Sequence, residues 1–498
     1  MRSTIKIVIL LFFICTSMSG ASFPDMEKYM RQHALIWEQL PMQWNEGAFL
    51  GNGLVGMMVY ADSTLNALVF HLGRPDVTDH RKAPYRKTSI GTEEADKMVD
   101  FCRLDVGKML LFPEGKILSG TFYLDIYNAE LTGHLKTDKG DLTFHAYTPQ
   151  PEEVNIVEVS SGVPYRWKGI PGNPCSPRIR VFPHLKEKLK YKDNPAPVVN
   201  QKDKEGSWVQ SLLAGGDYAT YWKEVPGGKS RSVLYVSTAN EVPASSLSLA
   251  KAMKTVEATQ ITGTKLLKQK TRQWWNAYHE RSFLSIPDKK LENFYFIQMY
   301  KLATCSHPDG PAMDVMGTFF KLSPWPSFWW NLNIQLTYMP IGPANRMEQG
   351  KNFQRLMDEV FPSLVRSIEP CKIGDYTWAL QNYYMYLRYA GADWQDIKQQ
   401  VVPKALDAFA VFDKILCYKE NTWHLTHIES PEYEGFQKYN DSNYGLASLS
   451  WLLQTLIACH DRTSSTHPDY ARWKEILTRL APYPTNENGL MIAANKPL

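Results

Sequence analysis

The sequence predicts a β-rich N-terminal domain, then a helical linker, then a C-terminal domain built from helical hairpins. Two changes in its pattern indicate this order. Between about residues 25 and 245, short β-branched or aromatic segments alternate with Gly, Pro, Asn and Asp, which is typical of a large β-sandwich. From about residue 246, apolar residues recur at helical spacing. The length of 498 residues allows two or three such domains.

The first residues, MRSTIKIVILLFFICTSMSGAS, have the layout of a cleaved secretory signal. Arg2 and Lys6 precede an apolar run from Ile7 to Ile14, and small residues follow. We therefore expect a signal peptide over 1–21 and an exported protein, periplasmic or secreted. No later stretch reaches 18 apolar residues, so we expect no association with the membrane after cleavage.

The sandwich domain is predicted over 22–245, because its segments alternate in polarity and are punctuated by turn residues. The predicted strands are 54–60, 67–72, 121–128, 142–148, 154–160 and 232–238. Residues 246–290 contain Gly263 but no proline before Pro287, and they form the predicted linker helices.

The last domain is predicted over 291–498, where long amphipathic segments are separated by loops rich in Gly and Pro. Successive hairpins of this kind can stack into an all-α barrel. The predicted helices are 291–305, 346–365, 377–390, 401–416, 443–460 and 469–480.

Composition excludes some classes of function. A formal net charge of +4, with no dense Lys/Arg cluster, is too weak for nucleic-acid binding. Of the seven cysteines, Cys15 lies in the signal segment and the others form no CxxC pair, so we expect no metal site. The 15 Trp, 26 Tyr and 21 Phe suit both large cores and stacking on sugar C–H faces.

Polar amides interrupt an apolar stretch at WWNLNIQLTYMP, 329–340. Asn331, Asn333 and Gln335 occupy alternate positions, and an unpaired buried amide costs roughly 1–3 kcal/mol. One interpretation makes Asn331 a helix N-cap with Gln335 one turn later. The other makes the amides part of a ligand-binding site, which also accounts for Asn333.

Three carboxylates, Glu429, Glu432 and Glu434, lie in THIESPEYEGF, 426–436. An acid beside apolar and aromatic groups has a raised pKa and can deliver a proton to a leaving oxygen. The alternative is that these acids only solvate or cap a loop.

Together, WNEGAFLGNGLVGMMVY, RQWWNAYHERS, WNLNIQLTYMP and ESPEYE, in this order, resemble glycoside hydrolase family 95. The resemblance implies a β-sandwich, a helical linker and an (α/α)6 barrel, with inverting, exo-acting hydrolysis of terminal α-L-fucosyl or α-L-galactosyl residues of oligo- or polysaccharides. It implies that Asn331 and Asn333 position the attacking water and that Glu432 is the general acid. It also places Trp330, Gln335 and Trp378 among the substrate-binding residues, although Trp378 is equally well explained as a core residue of the barrel. Such hydrolysis needs no cofactor.

One element of the family pattern has no counterpart here. The family's catalytic aspartate follows the Ser-Pro-Glu loop by a long interval, whereas this sequence ends at GLMIAANKPL. We therefore expect a C-terminally truncated chain with about half of the barrel, completed by a missing segment or a second polypeptide. Asp375 and Asp441 are the nearby alternatives for the base, and both are expected to be helix caps.

These expectations leave three functions open. The first is a glycosidase of the α-L-fucosidase type, complete or truncated. The second is a carbohydrate-binding protein that lacks the base and does not cleave. The third is a sugar phosphorylase, because phosphorylases share this architecture; the predicted export argues against that one.

Overall fold

The computed structural model describes residues 25–81, 102–241, 247–328, 332–429, 437–494 and 496. A β-rich region precedes a helical region, as the sequence predicts. The predicted signal peptide lies outside the described residues, as do Trp330, Asn331 and Glu432.

Two antiparallel sheets form the N-terminal region. One has nine strands in the order β1-β6-β7-β8-β9-β14-β13-β12-β11, and the other has five in the order β10-β5-β4-β3-β2. The strands are β1 Leu35–Trp37, β2 Ala48–Gly51, β3 Gly56–Asp62, β4 Ala67–Gly73, β5 Lys108–Pro113, β6 Ile117–Asp125, β7 Glu130–Thr137, β8 Asp141–Tyr147, β9 Asn155–Ser161, β10 Tyr165–Ile170, β11 Val198–Gln201, β12 Glu205–Ser211, β13 Asp217–Gly228 and β14 Arg231–Glu241.

The two sheets face each other across one apolar core. Burial alternates along β6 and β7, because successive side chains of a strand point to opposite faces. Phe70 of the five-stranded sheet meets Phe144 of the nine-stranded sheet edge to face at 5.5 Å. The predicted sandwich is therefore present.

Helices make up most of the rest of the described chain. They are α1 Met26–Met30, α2 Pro177–Val181, α3 His184–Lys188, α4 Ser248–Thr262, α5 Thr264–His279, α6 Lys289–Cys305, α7 Asn333–Tyr338, α8 Lys351–Glu359, α9 Phe361–Ser367, α10 Ile373–Tyr389, α11 Trp394–Gln400, α12 Val402–Phe412, α13 Asn443–Thr463 and α14 Tyr470–Thr478. Helices from α6 onward enclose a second core, which holds Phe353, Tyr383, Leu453 and Trp473.

Helices α4 to α6 attach the helical region to the sandwich. Ala252 and Val256 of α4 pack on Tyr221 and Tyr235 of the large sheet. Trp275 of α5, with Tyr278 and Tyr300, joins the core between the sheets. The two regions consequently share buried surface.

The structure departs from the sequence prediction at two places in the helical region. The predicted helix 346–365 is divided into α8 and α9, and Pro362 lies in the first turn of α9, where its missing amide hydrogen is tolerated. Short strands also occur there: β15 Leu416–Lys419, β16 Thr422–Leu425, β17 Ile428–Glu429, β18 Lys438–Tyr439, β19 Thr485–Asn486 and β20 Gly489–Leu490. The predicted helix 401–416 therefore ends early, at Phe412. The extent of the barrel stays a prediction.

No helix among the described residues is both long and apolar enough to cross a bilayer. Within the same ranges, no group of three or more His, Cys, Asp or Glu side chains is placed to hold a metal ion.

Candidate functional site

Asp375, in the first turn of α10, lies where two of the motif stretches meet the start of α13. Gln335, from the WWNLNIQL stretch, donates from Nε2 to the Asp375 carbonyl at 3.0 Å. Tyr444, at the start of α13, donates from its hydroxyl to Asp375 Oδ1 at 2.7 Å. Glu429, from the start of the IESPEYE stretch, is close enough for its charge to act on the Asp375 carboxyl.

Gly374 explains how Tyr444 reaches Asp375. A Cβ atom at position 374 would lie 2.4 Å from Cε1 of Tyr444, far inside van der Waals contact. The glycine therefore lets the tyrosine ring lie against the backbone of α10. The same closeness brings the phenol hydroxyl within hydrogen-bonding distance of the next residue, Asp375.

Burial sets the charge state of Asp375. The pKa of its carboxyl is raised to about 7, with burial as the main cause, because a low-dielectric environment disfavours the charged form. The hydrogen bond from Tyr444 and the charge of Lys372 lower the pKa, whereas the charge of Glu429 raises it. Asp375 can therefore gain or lose a proton near neutral pH.

Helix α7 supplies a second under-satisfied polar group. Gln335 is fully buried, and its Oε1 accepts no hydrogen bond from the described residues. Immediately before α7, Leu332 has φ 64° and ψ −61°, the rare and strained conformation of a γ-turn, and such strain costs a non-glycine residue about 1–3 kcal/mol. Strained backbone of this kind is concentrated at functional sites.

A groove of about 260 Å³ lies between α10 and α13 beside this cluster. Its size is near the lower end of ligand pockets, which begin at about 300 Å³. Its walls combine aromatic rings with amide and hydroxyl groups. The lining residues are Thr377, Trp378, Gln381, Tyr444, Ala447, Ser448 and Trp451. Aromatic faces with a few polar groups suit a ligand that has both C–H faces and hydroxyl groups, such as a sugar.

A glutamate and a lysine lie opposite each other on the two short strands β17 and β18, on either side of the IESPEYE stretch. Glu429 of β17 pairs in register with Lys438 of β18, and the thiol of Cys371 contacts Glu429 Oε2 at 3.9 Å. Burial raises the pKa of Cys371 to about 11, so this thiol stays protonated at neutral pH.

The described part of the chain includes three of the six predicted site residues. Trp378 lines the groove, and Gln335 is bound to Asp375. Asn333 begins α7 with an exposed side chain. The roles of all six stay predictions.

Two sequence expectations were wrong, because neither aspartate caps a helix. Lys372 occupies the N-cap position of α10, so Asp375 lies inside the helix. Ser442 caps α13. Asp441 instead accepts a hydrogen bond from His424 Nδ1 at 2.7 Å and another from the Leu425 amide at 2.9 Å, so it stabilises β16.

Sequence analysis missed the groove residues of α13. Tyr444, Ser448 and Trp451 recur at intervals of four and three, so they share one helix face. On α10, Trp378 and Gln381 are also three apart. A search for polar and aromatic residues at helical spacing within otherwise apolar helices would have found both walls.

The GNG turn of the 44–60 stretch lies where the sandwich packs against the helical region, and its role is structural. Asn52 is fully buried, and its side-chain amide donates to the carbonyls of Pro149 and Glu152. Gly53 has φ 83°, and a Cβ there would lie 2.3 Å from the Ser306 carbonyl carbon. The glycine thus permits close contact with the end of α6.

A larger cavity, of about 450 Å³, lies on the sandwich. No aromatic side chain is among its lining residues, which include Glu38, Asp62, Asn66 and Lys116. It lacks the ring faces that the α10–α13 groove offers.

Among solved structures, the chain is similar to a protein from the human microbiome assigned as a kojibiose phosphorylase. The TM-score is 0.59 at 9% identity, over 90% of this chain and 68% of that one. A likeness at this identity establishes a shared fold.

Two further structures are less similar. A bacterial glucoamylase complexed with acarbose has a TM-score of 0.45 at 11% identity, over 90% of this chain and 69% of the other. A family GH92 α-mannosidase from Bacteroides thetaiotaomicron has a TM-score of 0.30 at 7% identity, over 86% and 72%. By name, all three neighbours are glycoside-processing enzymes.

No protein-family model matches the chain, and no curated protein matches it significantly. Membership of glycoside hydrolase family 95, which the ordered motifs indicate, therefore stays a prediction.

Proposed function

We propose that this protein is an exported glycoside hydrolase that removes a terminal α-L-fucosyl or α-L-galactosyl residue from an oligo- or polysaccharide. The observation that carries the proposal is the α10–α13 groove, where Trp378 and Trp451 flank polar groups beside the protonatable Asp375. The shared fold with a glycoside-processing enzyme supports it, as do the family-95-like motifs.

The groove accounts for binding of one sugar unit. Trp378 and Trp451 offer ring faces to C–H groups, while Gln381 and Ser448 offer hydrogen-bonding groups to hydroxyls. Its small volume suits a single terminal residue and therefore an exo-acting enzyme. Sites built to bond one hydroxyl discriminate strongly against analogues that lack it, which would decide between L-fucose and L-galactose.

The resemblance assigns the chemistry to a single displacement. Glu432 protonates the glycosidic oxygen while a water oriented by Asn331 and Asn333 attacks the anomeric carbon from the opposite face. Inverting enzymes hold acid and base roughly 6.5–9.5 Å apart so that this water fits between them. Amides accept hydrogen bonds from the water but are too weak to deprotonate it, so a carboxylate is also required.

The test is an assay of α-L-fucosides and α-L-galactosides in phosphate-free buffer with wild type and Glu432→Gln. We expect the wild type to release monosaccharide and the variant to be slower by roughly 10²–10⁴-fold. Saturable sugar binding without release by a folded wild type would instead support a carbohydrate-binding protein and contradict hydrolysis.

A sugar phosphorylase is the second candidate, and the similarity to the kojibiose phosphorylase structure favours it. In that reaction phosphate takes the place of water as the attacking group. Adding inorganic phosphate to the same assay separates the two functions: a sugar 1-phosphate product would support phosphorolysis, and free sugar at an unchanged rate would support hydrolysis.

A further inference from the structure

Asp375 is a buried carboxyl that accepts few hydrogen bonds, whereas a buried carboxylate with a purely structural role usually accepts several. It is buried, yet among the described residues Tyr444 is the one group whose hydrogen bond reaches its carboxyl, at Oδ1. Burying an ionised carboxylate is costly unless several donors or a close cation compensate. Gln335 Oε1, on the neighbouring helix, is likewise buried and unpaired within the described chain.

We propose that Asp375 is the general base of this site and takes a proton from the water that attacks the anomeric carbon. This inference rests on the proposed hydrolase function.

The proton and charge balance of the step is simple. The water oxygen bonds to the anomeric carbon while the bond from that carbon to the glycosidic oxygen breaks. One water proton moves to Asp375, and the proton of Glu432 moves to the departing oxygen. Asp375 becomes neutral and Glu432 becomes ionised, and exchange with solvent restores both.

The surroundings of Asp375 suit a base that is held in place. Gln335 of α7 holds its backbone carbonyl, and Tyr444 of α13 holds Oδ1, while Oδ2 receives no hydrogen bond from the described residues. The charged and titratable groups facing it are Tyr444, Glu429 of β17 and Lys372 before α10. Burial raises its pKa to about 7, near the optimum for proton transfer at neutral pH.

Substrates with good and poor leaving groups distinguish a base from an acid. An aryl glycoside such as 4-nitrophenyl α-L-fucoside needs little acid assistance, whereas a fucosylated oligosaccharide needs it fully. We expect Asp375→Asn in the full chain to slow both substrates by at least about 100-fold. Glu432→Gln should slow cleavage of the oligosaccharide far more than cleavage of the aryl glycoside.

Asp358→Asn is the matched control. Asp358 also accepts a hydrogen bond from a tyrosine, Tyr383 of α10, at 2.5 Å, and pairs with Lys404. Neither of these partners lines the groove, whereas Tyr444, the partner of Asp375, does. Its variant should keep wild-type kinetics on both substrates, and circular dichroism of all variants checks folding.

If Asp375→Asn folds poorly, a second variant, Tyr444→Phe, tests the role of Asp375 through the pH dependence of kcat/KM. Tyr444→Phe removes the bond that lowers the pKa of Asp375, so the acidic limb of the kcat/KM profile should move to higher pH. An unmoved limb would overturn the inference, as would a folded Asp375→Asn that is slowed by less than about 10-fold. If the wild type cleaves no glycoside, the hydrolase proposal fails, and this inference fails with it.

Discussion

The hydroxyl of Tyr444 donates a 2.7 Å hydrogen bond to Oδ1 of Asp375, 69 residues earlier in the chain. The two residues belong to α13 and α10, which form the two walls of the groove. This contact therefore joins the two walls and supplies a hydrogen bond to one oxygen of the buried carboxyl. The ring can approach α10 only because residue 374 is glycine.

Gly374→Ala should destabilise the protein, although alanine usually favours a helix by about 1 kcal/mol over glycine. The new Cβ would lie 2.4 Å from Tyr444 Cε1, and such overpacking typically costs about 1–3 kcal/mol. Urea unfolding measures the change. Ala447→Gly, at an exposed position of α13, controls for the difference in helix propensity between alanine and glycine.

The stability of the wild type should fall relative to Asp375→Asn as pH rises from about 4 to 7. The carboxyl has a pKa near 3.8 when unfolded and about 7 when folded, so the folded state binds more protons in this window and loses stability as they leave. The difference approaches roughly 4 kcal/mol at its upper limit. Chemical denaturation at pH 4.5 and pH 8 measures it. Equal pH dependence of the two proteins would contradict the burial of a protonatable Asp375.

Trp378→Ala should weaken sugar binding. Loss of one ring face costs roughly 1–2 kcal/mol, which corresponds to a 5- to 30-fold increase in Kd or KM. Trp325→Ala is the control, because Trp325 is exposed and lies beside Arg178, outside the groove. Kinetics or calorimetry with the cleaved sugar compares them, and equal effects of the two substitutions would contradict a binding role for Trp378.

Low pH should weaken the attachment of α5 to the sandwich, because Glu130 becomes protonated. This carboxylate accepts hydrogen bonds from Arg272 of α5 and from His145 of β8. Burial alone would raise its pKa, but these two partners outweigh burial and lower it to about 2. The folded state thus binds fewer protons than the unfolded state, so this stabilisation is present above pH 4.5 and is lost as pH falls toward 2.

Glu130→Gln lacks this carboxylate and should lose less stability than the wild type between pH 5 and pH 3. Thermal unfolding across this range provides the measurement, with the exposed Glu257→Gln as control. A parallel decline of wild type and Glu130→Gln would contradict the account.

Local sequence patterns were sufficient to predict the regular elements. The six predicted strands and the helices at 291–305, 377–390, 443–460 and 469–480 are present, because side-chain alternation and helical spacing are local signals. The β15–β16 hairpin was missed, because short apolar strands resemble the end of a helix when only periodicity is considered.

The candidate site could be predicted only in part. Trp378 and Gln335 were chosen from motif resemblance, and the structure brings both close to Asp375. Tyr444 and Trp451 could not be assigned in this way, because their proximity to α10 results from tertiary packing. The pKa of Asp375 was also beyond sequence analysis, since it depends on burial and on charges from other elements.

Proton NMR of the reaction on an α-L-fucoside shows whether this protein hydrolyses the glycosidic bond and whether it does so with inversion. We expect the wild type to release L-fucose in phosphate-free buffer, and we expect the β-anomer to appear first, before mutarotation, because water attacks opposite to the leaving group. The α-anomer appearing first, or a folded protein that releases no sugar, would contradict this expectation.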